Sequence, residues 1–230
     1  MNERDFDQLV ASVKQAGAIK RGKLKPIVWN SQIMTLWTIQ SIAAWKVLQR
    51  EQVLFADQGY SEDLFLDAYR WMAKKMEHRI ESESEITSLP LWAWYQWEGK
   101  RRKPDLRSSA HLPKGQRGVR IEFEQSDKGV LLSDFDLWHY VLNYWYLPRT
   151  VVDGEAFEAE LSEQNLSFFE MKPLPVRAYH QRIEDSWNRI FDLDWAEEEI
   201  SDPFSKKSIQ ATFWKLHFDQ IRDVQFFTAR

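Results

Sequence analysis

Residues 119–147, VRIEFEQSDKGVLLSDFDLWHYVLNYWYL, constrain the fold more than any other stretch of the chain. Val119, Ile121 and Phe123 alternate with Arg120, Glu122 and Glu124, the period of a half-buried strand. Ser126-Asp127-Lys128-Gly129 carries turn chemistry. Val130-Leu131-Leu132 reads as a short buried strand returning antiparallel to the first. Ser133, with Asp136 three residues on, has capping-box spacing, so a helix is expected from Asp134. Its apolar face is Phe135, Trp138, Val141, Leu142 and Trp145, and Pro148 is expected to stop it. Strand, turn, strand and helix in succession predict an α+β fold: one domain with a central, mostly antiparallel sheet flanked by helices.

Asp136, His139 and Asn143 form a polar stripe along one edge of that helix face. Two readings apply to it. Asp136 caps the helix while His139 and Asn143 bond to nearby backbone, as buried polar groups usually do. Alternatively, the stripe belongs to a site where helix-terminal amides face an anion or ligand.

The composition narrows the classes. The chain has 230 residues, a formal charge of −4 and no cysteine. The acidic balance argues against bulk polyanion binding but leaves room for a local basic patch. Without cysteine there are no disulfides, thiolate metal sites or cysteine nucleophiles. The five histidines are scattered, and no metal site is expected. There is no signal peptide and no long uncharged apolar run, so a soluble cytoplasmic protein without membrane contact is expected. The 12 tryptophans point to a Trp-packed core or a stacking pocket.

In chain order, residues 1–26 read as an appended arm. It holds one amphipathic helix over 5–16, closed by Gly17 and followed by a lysine-rich stretch. Residues 27–230 read as the globular domain. IMTLWTIQ (33–40) reads as a strand, and Ser41 as the cap of a helix through Arg50. Val53–Ala56 reads as a second strand, and Ser61 opens a longer helix to about Ile80. LWAWYQW (91–97) reads as a buried strand. Glu98 to Gly118 is a long basic loop of the kind that is usually functional or mobile. In its KPDLR segment (103–107), Asp105 is placed to orient Arg107. Either the neighbouring tryptophans, Trp94 among them, stack bases there, which makes residues 100–120 a candidate nucleic-acid contact, or this is a solvated loop over a Trp-rich core strand. Residues 151–172 are expected to form a surface helix or excursion, and 177–190 a helix. FDLDW (191–195) reads as a strand or strand end. The last stretch reads as two strands around a turn.

LWTIQ, KPDLR, LLSDFDLWHYVLN and IQATFWKL occur in that order. Together they resemble a bacterial family catalogued as domain of unknown function 3841, over roughly residues 33–230. The resemblance implies no particular reaction. The layout also resembles the ADP-ribosyltransferase fold, which implies a nucleotide or dinucleotide ligand. Where those enzymes place a His or Arg on the first strand, this chain offers Trp37 and Gln40. Their late Glu has no counterpart around Gln210-Ala211-Thr212. LVASVKQAGAIKRG (9–22) resembles the leader of helix-turn-helix antitoxins, which implies a link to toxin–antitoxin or phage-defence loci.

The candidate ligand-binding residues are therefore Trp37, Gln40, Trp94, Asp105, Arg107, Asp134, Asp136, His139 and Asn143. No catalytic group or cofactor is assigned. In the first functional reading a nucleotide or dinucleotide binds with Arg107 on its phosphate. In the second, the Trp-rich strand and basic loop make a non-catalytic nucleic-acid-binding or partner-binding module. If the two strands of residues 119–132 pair as a hairpin, Arg107 and the stripe should meet at one end of the sheet; the competing outcome is that Arg107 pairs with Asp105 or Asp134 as a structural ion pair.

Overall fold

A computed structural model describes residues 32–56, 65–80, 89–107 and 111–230. The arm over 1–26, the helix start at Ser61 and the loop over 82–88 lie outside the described residues. Among the described residues there are five α-helices and eight strands, and the fold is α+β with a mostly antiparallel sheet. The chain divides into two compact units. The first is drawn from residues up to Leu54, Asp105–Asp127 and Leu216–Arg230, and the second from Phe55–Pro104 and Lys128–Lys215.

In the first unit β4 (Arg117–Ser126) lies between β1 (Ile33–Ser41) and β8 (Ile221–Thr228), antiparallel to both. The register sets Leu36 opposite Phe123, Thr38 opposite Ile121 and Gln40 opposite Val119. Val119, Ile121 and Phe123 are fully buried, as their alternation predicts. Helix α1 (Ile42–Glu51) starts where Ser41 Oγ accepts the Ala44 N–H at 3.1 Å, the expected cap. It buries Trp45 and Leu48, and the Trp45 ring meets Phe218 and Phe226, each at 6.0 Å. The short strands β2 (Val53–Phe55) and β7 (Lys215–His217) pair in a ladder of their own.

In the second unit β6 (Ile209–Phe213) lies between β3 (Leu91–Gln96) and β5 (Leu131–Asp134), again antiparallel. Four helices accompany them: α2 (Leu66–Arg79), α3 (Phe135–Leu142), α4 (Val151–Glu163) and α5 (Arg177–Ser186), the last continuing as a 3₁₀ turn over Trp187–Phe191. Their shared core is aromatic. Trp71 stacks on Phe191 and meets Trp187 edge-on, while Trp92 lies 4.9 Å from Trp138.

Four expectations change here. The strand after Gly129 does not return along β4: β5 takes β6 as its partner, with Leu131 opposite Thr212. A 3₁₀ turn at Asp127–Gly129 redirects the chain between the two ladders. The cap of α3 is Asp134 itself, one residue later than expected. Its carboxylate accepts two backbone N–H groups, from Asp136 at 2.9 Å and Leu137 at 3.2 Å. Ser133 stays in the strand, its buried hydroxyl without a hydrogen-bond partner among the described residues. Helix α3 ends at Leu142, well before Pro148, because Tyr144 adopts φ 59° and the Trp145 N–H turns back to the Tyr140 carbonyl. FDLDW forms no strand; its Phe191 closes the 3₁₀ turn.

Candidate functional site

The second unit holds two polar sites. The first sits at the start of α3. Lys207 Nζ lies 2.6 Å from Asp134 Oδ2 and 2.6 Å from Ser201 Oγ, and both charged side chains are almost fully buried. Buried charges survive only when paired and bonded, and here each finds such partners. Asp134 also borders a cleft of about 490 Å³ lined by Asp136, Leu137 and residues 196–203, four of which are acidic. Burial in that cleft, reinforced by Asp134, pushes the Asp136 carboxyl above its usual range. Among the described residues no group of three or more His, Asp or Glu could hold a metal ion.

The second site is larger. A cleft of about 1320 Å³ runs between α2, the C-terminal end of α3 and α5. Tyr144 stands on its wall in the left-handed conformation, at the helix-closing position that glycine usually fills. That turn carries the phenol towards α5. The Leu174 N–H donates to Tyr144 Oη at 3.0 Å, and Oη lies 2.7 Å from His180 Nδ1. With the amide on the oxygen, the network assigns the phenol proton to the Tyr–His bond and the ring N–H of His180 to Nε2. Nε2 faces Glu184 Oε1 at 3.7 Å, close enough for charge attraction but too long for a hydrogen bond. Burial raises the Tyr144 pKa, so the phenol rests neutral.

This arrangement is held from behind. Trp187 Nε1 donates to the Trp145 carbonyl at 2.7 Å, the Leu147 N–H to Ser186 Oγ at 2.9 Å, and Arg189 to the Leu147 carbonyl at 3.0 Å. The segment after α3 and the end of α5 are thereby locked together.

The expected site residues scatter among these features. Trp37 and Gln40 lie on opposite faces of β1, as three-residue spacing on a strand requires. Trp37 Nε1 donates to Glu122 Oε2 at 2.9 Å, and Gln40 donates to Thr38 at 2.8 Å. Asp105 orients Arg107 as expected: the backbone N–H of Arg107 donates to it at 2.9 Å and the guanidinium at 2.6–3.0 Å, with Arg107 exposed. Trp94 is packed edge-on against Trp97 and Phe135. Within the stripe, His139 Nδ1 meets the Phe135 and Asp136 carbonyls, and Asn143 Nδ2 donates to the His139 carbonyl at 2.8 Å. His139 and Asn143 thus bond to nearby backbone, whereas Asp136 does not cap the helix: Asp134 does, and Asp136 only donates its N–H to it. Asp136 faces the smaller cleft and Asn143 the larger. Arg107 belongs to the first unit and the stripe to the second. The hairpin that was to join them does not form, since β4 pairs with β1 and β8.

Tyr144, His180, Glu184 and Lys207 were not singled out from the sequence. His180 and Glu184 had a signal, since four-residue spacing on a helix makes neighbours. Tyr144 had none, because only the glycine-like turn aims it.

No helix among the described residues is long and apolar enough to cross a membrane. No curated protein and no solved structure matches the chain. A family model does match, over residues 35–222, and by it the chain belongs to the Domain of unknown function (DUF3841) family.

Proposed function

We propose that the protein binds a nucleotide or dinucleotide in the large cleft of the second unit. The observation that carries this reading is the combination of size and lining. About 1320 Å³ exceeds an ordinary small-ligand pocket and has room for a dinucleotide. Tyr144 and the small exposed parts of Trp71 and Trp187 give the lining an aromatic side, and Arg70, Lys74, Lys75 and Lys172 contribute cations for phosphate. Asp67, Glu77, Glu184 and Asp185 share the lining and supply acceptors for ribose hydroxyls and base amines. The layout-level resemblance to ADP-ribosyltransferases puts NAD within the same ligand class, and the likeness of residues 9–22 to an antitoxin leader suggests a toxin–antitoxin or phage-defence setting.

A second reading has one observation in its favour. Arg101 lies 3.7 Å from the centroid of the Tyr95 ring, beside the Trp-rich strand, a cation–aromatic pairing of the sort used on single strands. On that reading the protein is a non-catalytic nucleic-acid-binding module.

Thermal melts with AMP, ATP, NAD and a short single-stranded oligonucleotide separate the two. Saturating ligand at a hundredfold excess over Kd stabilises by about 2.7 kcal/mol. A rise with ATP or NAD that shrinks in Lys172→Glu and Lys74→Glu supports the cleft. A rise with the oligonucleotide alone, lost in Arg101→Ala, supports the module and sinks the nucleotide reading.

A further inference from the structure

We infer that Tyr144 is a nucleophile, with His180 as the base that takes its proton, in group transfer from an electrophilic phosphorus of the cleft's ligand. The inference deepens the proposed nucleotide reading and rests on it for the ligand. Three observations converge on this oxygen. Tyr144 holds the left-handed φ of 59° that bulky residues rarely adopt, and outliers of this kind concentrate at functional sites. Its Oη lies 2.7 Å from His180 Nδ1, within reach for direct proton transfer. The Leu174 N–H, 3.0 Å from Oη, stays aimed at the oxygen when the proton leaves and stabilises the phenolate.

The order of parts is nucleophile, base, and a third group facing the base. Glu184, 3.7 Å from His180 Nε2, is a positioning residue: it favours the Nε2–H tautomer and attracts the imidazolium that forms. In the step, the phenol proton moves to His180 Nδ1 and the oxygen bonds to phosphorus. The phosphoanhydride P–O bond breaks, and the leaving phosphate carries off the electron pair. The product is a tyrosyl phosphoester on the protein and a free phosphate or nucleotide anion. No redox partner is needed.

The test uses the full chain and 5′-(4-fluorosulfonylbenzoyl)adenosine, whose S–F bond breaks as a phenolate oxygen bonds to sulfur. Labelled peptides are mapped by mass spectrometry, and rates are compared with N-acetyltyrosinamide. The expected result is an adduct on Tyr144, formed at least about tenfold faster than on the reference and blocked by ATP. It is absent in Tyr144→Phe and slowed about a hundredfold in His180→Gln, the scale of a general base. Labelling of Tyr144 at the reference rate, with ATP still binding, overturns the inference and leaves the phenol a structural pin. That comparison needs only the wild type, so it holds even if a variant fails to fold. Fast, His180-dependent labelling by benzenesulfonyl fluoride in a protein that ATP neither stabilises nor protects sustains the nucleophile and discards the nucleotide.

Discussion

Lys207 Nζ stands 2.6 Å from Asp134 Oδ2 where both side chains are almost completely closed to water. The pair joins the loop before β6 to the cap of α3. The other oxygen of the same carboxylate already accepts two helix N–H groups. One aspartate therefore ends a strand, starts a helix and neutralises a buried lysine.

Removing one partner of such a pair strands the other charge. Lys207→Met should lose ~3–5 kcal/mol of stability in urea denaturation. Adding Asp134→Asn removes the stranded charge and keeps an oxygen for the cap, so the double variant should be more stable than Lys207→Met alone. A double variant that is weaker by the sum of both single losses would show that the two residues act independently.

Trp138→Ala should destabilise by ~3–5 kcal/mol, because the ring is almost fully buried between Trp92 and Tyr69. His139→Ala should stay within about 0.5 kcal/mol, since the ring is exposed and its partners are backbone carbonyls already in the helix. Equal drops in melting temperature would contradict the assigned helix face.

The elements that local pattern decides were legible in the sequence. Ser41 caps its helix, Val119, Ile121 and Phe123 line the buried face of a strand, and Ile183 with Ile190 points inward. Pairing was not legible. Nothing within Val130–Asp134 distinguishes β6 from β4 as a partner, because a short apolar strand carries no address for its neighbour. His139 and Asn143 were located correctly along the α3 face, but their partners are the helix's own carbonyls. The Tyr144 line was hidden for a different reason: it needs a left-handed residue without glycine, which local propensity argues against.

His111 gives a pH dependence with a definite sign. Burial lowers its pKa below the ordinary 6.5, although its ring nitrogen meets the Asp105 carbonyl at 3.0 Å. A histidine depressed in the folded state binds more protons when unfolded. Its contribution to stability is therefore present above 6.5 and is lost as pH falls through the folded value. His111→Gln should flatten the melting-temperature curve on the acid side of 6.5 relative to wild type. Parallel curves for the two proteins would remove His111 as the cause.

The loop that seats Lys207 packs against the turn at Gly99. Gly99 has φ +72°, and a Cβ built on it would lie 2.1 Å from the Ser205 carbonyl oxygen and 3.0 Å from the Lys206 Cα. Its own N–H donates to the Lys207 carbonyl at 3.0 Å, and Gln96 Nε2 donates to the Phe204 and Lys207 carbonyls at 2.8 and 3.0 Å. The turn after β3 thus holds the backbone on either side of the buried lysine. Both obstacles to a side chain at position 99 are backbone atoms, which do not swing aside as a side-chain tip would. Gly99→Ala should therefore cost ~1–3 kcal/mol from overpacking, plus the strain of a left-handed alanine. Because the displaced segment carries Lys207, that loss should fall well short of additive with Lys207→Met. Urea denaturation of the two single variants and the double variant measures it. Full additivity would mean that the turn and the buried pair are energetically separate, and that the loop is seated by other contacts.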